Sequence, residues 1–357
     1  MGHVHGLHYF RRTAPRSGNK PAEAITFILC TQAAWAQSFR PGFAPLTRMN
    51  RPTPHPHLIA VDWGTSAWRA ARMVHGQVVE QRHNDQGILR IQAGEFATAL
   101  NAFCGDWMKD PQALTLICGM AGSAQGWQLA PYLPCPCPLD QLAHNLVWLE
   151  PQKLALVPGI SCELPHAPDV MRGEETQVLG ALQMTGQTSA TVVLPGTHSK
   201  WIQVRDGKLE QFATYMTGEW YSLLAQHSIL SRSLPQAPPP VGEADPITLA
   251  AFDQGVSWAQ KDLSLLHTAF SVRTLSLMER MNPTQAQAYL SGLLIGEELR
   301  AQAAHLHGTL LVIGNALLQQ RYQRAFHLLG AKCHLMGDEA TWQGLQSIAT
   351  SIHHKTS

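Results

Sequence analysis

The sequence predicts an α/β fold built from two related domains. Apolar strand-like runs, glycine turns and helix-like segments alternate from Leu58 to the C-terminus, which is typical of α/β proteins. Two stretches, starting at Leu58 and Ala190, share one pattern: an apolar strand, a Gly-Thr turn, a strand carrying tryptophan, a hairpin glycine and a third strand. A pattern repeated at the spacing of one domain predicts two domains, each presenting a Gly-Thr loop to a shared cleft.

Length and composition are those of a globular protein. The chain has 357 residues, of which 45% are hydrophobic and 14% charged, a balance that excludes an intrinsically disordered protein. A net charge of +1 predicts neither a nucleic-acid nor a membrane partner, and no apolar run approaches the roughly 20 residues of a membrane span. The seven cysteines, an odd number, argue against a disulfide framework. We therefore expect a cytoplasmic protein.

Residues 1–57 differ in composition from the rest of the chain. They are rich in Pro, His, Arg and Ser, and Met49 stands just before the first credible strand. We interpret them as a disordered extension or the product of a misassigned start codon. The two predicted domains are then residues 58–188 and 189–357.

Hydrophobic periodicity predicts the elements of the first domain. Its strands are expected at 58–63, 67–74, 77–82, 114–118 and 154–159, with helices at 94–109 and from Met171 onward. The dipeptide His75-Gly76 is the expected hairpin turn.

The second domain repeats this alternation of strands and helices. Strands are expected from Ala190 to Val204, at 309–313 and from Cys333, and helices after Thr217, at 283–300, through Phe326 and at the C-terminus. Thr217 is the expected N-cap of its helix. The proline-dense residues 233–246 predict a surface loop, and the small residues of 291–296 predict close helix packing.

The first Gly-Thr turn has the chemistry of a phosphate-binding loop. Gly64 allows a phosphate to approach the backbone, Thr65 and Ser66 offer hydroxyl and N–H donors, and Asp62 can hold Mg²⁺ through water. Acid-glycine turns also end many hairpins for steric reasons alone, so this turn by itself leaves both interpretations open.

Two further segments carry candidate chemistry. The glycine-rich run that contains Gly122 and Ser123 follows a buried strand, where either a ligand loop or a purely structural turn is expected. Arg172 stands shortly before the paired carboxylates Glu174 and Glu175, which together offer an anion clamp and a candidate base. The acids also suit the dipole of a helix N-terminus, which is the structural alternative.

The sequence resembles the 2-dehydro-3-deoxygalactonokinase family, within the superfamily of sugar kinases, heat-shock chaperones and actin. The resemblance covers the chain from about Leu58 to the C-terminus. It is carried by the strings Ala60–Ser66, Gly119–Ser123, Val170–Gln177, Pro195–Trp201, Met216–Glu219 and Ser291–Gly296. It implies an actin-like ATPase (ribonuclease H-like) fold, with duplicated mixed sheets flanked by helices and an interdomain cleft.

The resemblance also implies a reaction and its cofactors. The expected activity is transfer of the ATP γ-phosphoryl group to the 6-hydroxyl of 2-dehydro-3-deoxy-D-galactonate, in galactonate catabolism, with ATP and Mg²⁺. No Walker-type phosphate loop occurs in the sequence. The implied nucleotide-side residues are Asp62 for hydrated Mg²⁺, Gly64, Thr65 and Ser66 for the γ-phosphoryl group, Gly196, Thr197 and Lys200 for the β-phosphate, and Gly314 and Asn315 beside the adenosine.

Acceptor-side roles are assigned on the same basis. Glu174 is favoured over Glu175 as the general base, with Asp62 as a competitor. Arg172 is expected to bind the substrate carboxylate, since a guanidinium fork matches its two oxygens. Arg69 and the Gly122-Ser123 loop are alternatives for that contact, and Glu175 is placed among the substrate-binding residues.

Two other functions fit the phosphate loops. One is a kinase of another sugar acid or small hydroxyl compound on the same fold, because these loops do not identify the acceptor. The other is a nucleotide-binding regulator that is not a kinase. A homo-oligomer is compatible with the sequence, which neither requires nor excludes one.

Overall fold

The computed structural model describes residues 55–236 and 245–353, the last of these by its backbone alone. The strands in these ranges are β1 (His57–Trp63), β2 (Trp68–Val74), β3 (Gln77–Asn84), β4 (Leu114–Gly119), β5 (Tyr132–Pro134), β6 (Cys137–Pro138), β7 (Val147–Glu150), β8 (Leu154–Leu156), β9 (Gly159–Glu163), β10 (Pro168–Met171), β11 (Ala190–Leu194), β12 (Ser199–Arg205), β13 (Lys208–Tyr215), β14 (Leu310–Ile313) and β15 (Cys333–Met336).

The helices of the same part of the chain are α1 (Phe96–Cys104), α2 (Gln141–His144), α3 (Glu174–Thr185), α4 (Thr217–His227), α5 (Pro246–Ala259), α6 (Leu265–Thr268), α7 (Ser271–Leu277), α8 (Pro283–Ala301), α9 (Ala316–Leu328) and α10 (Glu339–His353). None of them is long and apolar enough to cross a membrane.

Two six-stranded mixed sheets share the topology of five of their strands, and their sixth strands, β7 and β6, lie at opposite ends of this shared part. The first has the order β3-β2-β1-β4-β8-β7, and the second has the order β15-β14-β11-β12-β13-β6. In each sheet, three consecutive strands form an antiparallel meander. The first strand of the meander also pairs with the first of two parallel strands, which are β4 and β8 in the first sheet and β14 and β15 in the second. This duplication confirms the predicted actin-like α/β fold. A third sheet has the order β10-β9-β5, and its last strand in the sequence, β10, directly precedes α3.

The duplication extends to the hairpin turns. His75 and Gly76 have φ values of 48° and 79°, and Asp206 and Gly207 have 50° and 73°, the left-handed pairs of type I′ turns. A bulge follows each turn in the third strand. The hairpin turn predicted at His75-Gly76 is therefore confirmed.

The two tryptophans of the repeat are not structurally equivalent. The closing pair of the first hairpin is Trp63–Trp68, and that of the second is Leu194–Lys200. The second loop is one residue longer, so Trp201 occupies the register position of Arg69. Both Trp68 and Trp201 are buried and belong to the core.

Several element boundaries differ from the predicted ones. The helix expected at 94–109 ends at Cys104, and a separate 3-10 turn covers Trp107–Lys109. Asp106, between them, accepts hydrogen bonds from Arg82 of β3 at 2.6 Å. Thr217 is the first residue of α4 and not its N-cap, because its hydroxyl donates to the carboxylate of Glu298.

The residues before β1 were predicted as an extension. Residues 1–54 of that stretch lie outside the described residues, as does 237–244 of the predicted proline-rich loop, and His57 belongs to β1. The described residues fall into one compact unit, and the division at 188/189 stays a prediction.

The largest core cluster lies between the two sheets. It joins Ala60 and Leu116 of the first sheet, Val192 and Ile202 of the second, and Leu345 of α10. Because side chains alternate along a strand, the next residues of β1 and β11 point to the opposite faces, where α1 covers the first sheet and α5, α8 and α9 cover the second.

Helices α3 and α10 pass each other at backbone contact between the sheets. A Cβ atom on Gly180 would lie 1.8 Å from the carbonyl oxygen of Ala340, and one on Gly344 would lie 1.9 Å from that of Thr176. The predicted small-residue packing of α8 is of the same kind, because a Cβ on Gly292 would lie 2.1 Å from the oxygen of Phe252 in α5. Only glycine fits at these crossings.

The α3–α10 crossing predicts that replacing Gly344 by alanine destabilises the protein, whereas helix propensity alone predicts stabilisation. In an open helix, Gly344→Ala would stabilise the protein by about 1 kcal/mol. Here we expect it to lower the free energy of unfolding by about 1–3 kcal/mol, because the methyl group overpacks the crossing. Urea denaturation measures the change. Gln343→Ala, at a half-buried position of the same helix, is the control, and a stabilised Gly344→Ala protein would contradict the crossing.

Candidate functional site

A cavity of about 380 Å³ opens where the parallel strands of the second sheet end. Both halves of the fold contribute to its lining, which consists of Arg69, Glu174, Gln177, residues 194–198, residues 313–315, Gly337, Asp338 and Thr341. The predicted site residues in this lining are Arg69, Glu174, Gly196, Thr197, Gly314 and Asn315. The predicted residues outside it are Asp62, Gly64, Thr65, Ser66, Gly122, Ser123, Arg172, Glu175 and Lys200.

The wall from the second half is built of backbone held by neighbouring helices. The N–H of Glu219 donates to the carbonyl of Thr197 at 3.0 Å, and a Cβ on Gly218 would lie 2.4 Å from the oxygen of Gly196. Asn315 is the N-cap of α9 and accepts from the N–H of Leu318 at 3.0 Å. The cavity thus meets a glycine loop and a capped helix start, both suited to phosphate oxygens.

The wall from the first half is organised by Arg69. Its Nε donates to Oδ2 of Asp62 at 3.1 Å, its Nη2 lies 3.0 Å from the same oxygen in an ion pair, and its Nη1 pairs with Asp338. Nη2 also donates to the hydroxyl of Thr341 at 3.2 Å, and the guanidinium lies 5.4 Å from the ring of Trp342. Arg69 therefore joins β1 to the start of α10, and its predicted contact with the substrate carboxylate stays a prediction.

Asp62 lies at the end of β1, behind Arg69. Burial raises the pKa of its carboxyl, and the guanidinium of Arg69 opposes that rise. Its Oδ1 faces the thiol of Cys118 at 3.9 Å. A Cβ on Gly119 would lie 3.2 Å from this oxygen, so the glycine leaves space on the side of Asp62 that Arg69 does not occupy.

The Gly64–Ser66 turn is held in place through its carbonyl groups. The N–H groups of Gly87 and Ile88 donate to the oxygens of Ser66 and Gly64 at 2.8 and 3.1 Å. The side chains of Thr65 and Ser66 are exposed. The structure thus fixes the backbone of the turn and directs its hydroxyl residues towards solvent, close to Asp62 along the chain.

The start of α3 holds two carboxylates in different surroundings. Glu174 lines the cavity and accepts from the N–H of Arg172 at 3.0 Å. Glu175 is fully buried, and both its oxygens accept from the N–H of Gly173, at 2.9 and 2.7 Å. Burial raises the pKa of Glu174, and the positive charge of Lys200 opposes this rise. Burial and the neighbouring charge of Glu174 raise the pKa of Glu175 to about 8.

The guanidinium of Arg172 is buried with only part of its hydrogen-bonding capacity used. Nη2 donates to the carbonyl of Ala130 at 2.8 Å, and the group stacks 4.3 Å from the ring of Tyr132. Within the described ranges, Nε and Nη1 have no hydrogen-bond partner, and the same is true of the buried hydroxyl of Ser123. A Cβ on Gly122 would lie 3.0 Å from Nη1. Arg172 and Ser123 thus retain buried donors that the described residues do not use.

Lys200 points away from the cavity. Its Nζ donates to the carbonyl of Val170 at 3.0 Å and to the hydroxyl of Thr214 at 2.6 Å. A contact with the β-phosphate would require it to leave both partners, and this role stays a prediction.

Sequence reasoning missed Gln177, Gly337, Asp338 and Thr341 of the lining. One signal was available for Gly337 and Asp338. They follow the apolar run of β15 as Gly314 and Asn315 follow that of β14, and neighbouring parallel strands end at the same edge of a sheet.

A family model and a curated relative both match most of the chain. The family model described as 2-keto-3-deoxy-galactonokinase matches residues 62–348. The 2-dehydro-3-deoxygalactonokinase of Escherichia coli (strain K12) is 34% identical over 298 residues, which is 82% of this chain and 98% of that protein.

A second curated protein and a solved structure show similar identity. One from Rhizobium meliloti (strain 1021), named as a probable 2-dehydro-3-deoxygalactonokinase, is 35% identical over 82% of this chain and 96% of its own length. A crystal structure from Sinorhizobium meliloti, named for the same kinase, has a TM-score of 0.74 at 33% identity and covers 83% of this chain and 99% of the other. The chain belongs to the 2-keto-3-deoxy-galactonokinase family.

Proposed function

We propose that this kinase transfers the γ-phosphoryl group of ATP to the 6-hydroxyl of 2-dehydro-3-deoxy-D-galactonate. The observation that carries the proposal is the cavity in which Glu174, from the first half, faces the Gly196-Thr197 loop, from the second. The choice of this sugar acid as the acceptor rests on the family to which the chain belongs. A cytoplasmic location follows from the use of ATP, and self-association stays a prediction.

The nucleotide phosphates would bind between the two glycine loops. Thr197 offers its N–H and its hydroxyl to the β-phosphate, Gly196 allows the phosphate to approach the backbone, and Gly314 and Asn315 border the adenosine. Gly64, Thr65 and Ser66 would meet the γ-phosphoryl group from the opposite side. Phosphoryl transfer depends mainly on positioning and charge neutralisation, which backbone held by helices provides.

The residues around Asp62 fit a hydrated Mg²⁺ ion. No group of three or more His, Cys, Asp or Glu side chains able to hold a metal occurs within residues 55–236 and 245–353, so the ion would rely on water and phosphate oxygens, as Mg²⁺ commonly does. Asp62 and Asp338 would accept from its water ligands, and Arg69 keeps both carboxylates in position. When bound, the ion neutralises charge on the phosphates.

Glu174 is the proposed general base. It lines the cavity, whereas the competitor Asp62 is engaged by Arg69 and Glu175 is buried with internal partners. As the acceptor hydroxyl attacks the γ-phosphorus, its proton passes to the carboxylate of Glu174 and ADP leaves. A positioned base contributes about 10²–10⁴-fold. The positive charge of Lys200 favours the ionised form of Glu174 that this step requires.

Arg172 and Ser123 would bind the carboxylate of the sugar acid. Their donors without partners match its oxygens. Because the guanidinium is covered, substrate entry requires a shift of the Gly122-Ser123 loop or of the Tyr132 ring, which is 39% exposed. Glu175 would act on the substrate indirectly, by fixing the N–H of Gly173 at the start of α3.

A coupled assay of ADP release tests the proposed reaction. We expect Mg²⁺-dependent release with 2-dehydro-3-deoxy-D-galactonate, and background release without it or with EDTA. The gluconate-derived epimer tests stereochemical choice. Asp62→Asn should abolish turnover in a folded protein, while Asp110→Asn, at a surface pair with His57, should not. ADP release that ignores the acid would show a nucleotide hydrolase or regulator.

The assignment of Arg172 predicts a selective defect. Arg172→Lys keeps the charge but loses the fork, and we expect the KM for the sugar acid to rise about tenfold or more, as for loss of a charge-assisted hydrogen bond. The KM for ATP should stay within about threefold of wild type. Arg90→Lys, at an exposed position, is the control. Equal KM values for the acid in the wild type and Arg172→Lys would remove Arg172 from the substrate site.

The raised pKa of Glu175 predicts how stability depends on pH. The folded state holds this proton up to about pH 8, far above the ordinary value of about 4.3. The contribution to stability is therefore complete below about pH 4, declines steadily as pH rises from there towards about 8, and is gone above about pH 8. We expect the free energy of unfolding to fall less between pH 6 and 9 in Glu175→Gln than in wild type. Glu163→Gln, at an exposed carboxyl, is the control, and parallel curves for wild type and Glu175→Gln would refute the assignment.

A further inference from the structure

Glu298 is a buried carboxylate that takes no part in the proposed reaction. It lies on α8 and is 2% exposed. Its Oε1 accepts from the indole N–H of Trp201 at 2.7 Å, and its Oε2 accepts from the hydroxyls of Tyr322, at 2.7 Å, and Thr217. No ion pair to Glu298 occurs among the described residues. Burying a carboxylate without a cation is costly, so these three donors carry its stabilisation.

The donors come from three elements that surround the Gly196-Thr197 loop, which is the proposed phosphate loop. Trp201 belongs to β12, Thr217 begins α4, and Tyr322 belongs to α9. One carboxylate thus joins the strand after the loop to the two helices beside it. Sequence separations of 97, 81 and 24 residues make this a tertiary connection and not a local cap.

The network reaches the phosphate loop itself. The hydroxyl of Ser199, directly after the loop, lies 3.0 Å from that of Tyr322. The N–H of Gly196 donates to the Ser199 hydroxyl at 3.4 Å. A chain of polar contacts therefore runs from Glu298 through Tyr322 and Ser199 to Gly196, one of the residues that line the cavity.

The network also borders a second, smaller recess. Thr217 and Tyr322 line an apolar space of about 40 Å³ between α4, α8 and α9, which shares Gly196 with the main cavity. The same carboxylate thus fixes the loop on the phosphate side and two walls of the adjoining recess. Burial raises the pKa of Glu298, while hydrogen bonding from Thr217, Trp201 and Tyr322 opposes that rise, as does the hydroxyl of Ser199.

We propose that Glu298 is a positioning residue for the nucleotide, which holds the Gly196-Thr197 loop through Tyr322 and Ser199 and orients α4 through Thr217. The inference rests on the proposed function for the identity of the ligand. It assigns Glu298 no contact with the nucleotide or with the sugar acid. Its loss should therefore weaken nucleotide binding and leave binding of the sugar acid nearly unchanged.

The decisive variants are Glu298→Gln and Tyr322→Phe, each with a matched control. Glu297→Gln changes the neighbouring carboxylate of α8, which pairs with Arg300. Tyr289→Phe removes another buried tyrosine hydroxyl, which bonds to Ser271 at 2.8 Å on the side of α8 that faces α7. Urea denaturation establishes that each protein is folded.

The measurements are the Kd for ADP with Mg²⁺ and no sugar acid, by calorimetry, and the KM values for ATP and the acid. We expect Tyr322→Phe and Glu298→Gln to raise the Kd for ADP about three- to tenfold or more, as for loss of one or more hydrogen bonds. The KM for the acid should stay within about twofold. Both controls should match wild type in the Kd for ADP.

The outcomes separate this inference from the proposed function. An unchanged Kd for ADP in folded Tyr322→Phe overturns the inference, and so does a parallel rise in both KM values, which indicates a general structural role. If Glu298→Gln does not fold, Tyr322→Phe decides alone. A wild-type protein that binds ADP but does not phosphorylate the acid overturns the proposed reaction, and the Kd values still decide the role of Glu298.

Discussion

The crossing of α3 and α10 is the constraint on which the rest of the site depends. Gly180 and Gly344 bring the two helix backbones into contact, which fixes the distance between the helix starts. Glu174 is the first residue of α3, and Asp338 immediately precedes α10. The candidate base and the partner of Arg69 therefore take their relative position from a contact that involves neither. A side chain at the crossing would separate two walls of the cavity without touching either.

Charge around the cavity is distributed unequally. Arg69 shares its guanidinium between Asp62 and Asp338, which sets the geometry of this cluster before any ligand arrives. One guanidinium offsets only one of the two carboxylate charges. Arg172 retains donors without partners, which makes it the cation best able to gain from an incoming carboxylate. Glu175, with its pKa raised to about 8, adds little negative charge at neutral pH. Unused hydrogen-bond donors thus distinguish Arg172 from Arg69, whose guanidinium is shared between two carboxylates.

The sequence sufficed for features encoded locally. Strand alternation, the His75-Gly76 turn and the glycines after β11 and β14 each depend on a few adjacent residues, and the cavity contains Gly196, Thr197, Gly314 and Asn315 as expected. Features that depend on distant partners were not accessible. The bond between Arg69 and Thr341 spans 272 residues. Lys200 illustrates a further limit. The strand begins at Ser199, and the alternation of side chains directs the ammonium of Lys200 towards the carbonyl of Val170 and away from the cavity.

Divergence between the duplicated hairpins gives the two halves different chemistry at the same ladder position. The first hairpin pairs Asp62 with Arg69, and the equivalent ladder position of the second pairs Val193 with Trp201. The second hairpin thus has no charge of its own there, and its indole N–H turns to Glu298 of α8. A carboxylate near the cavity suits a hydrated cation, whereas a carboxylate buried behind the loop can only hold backbone in place. The proposed metal site and the proposed positioning network are therefore two outcomes of one duplicated hairpin.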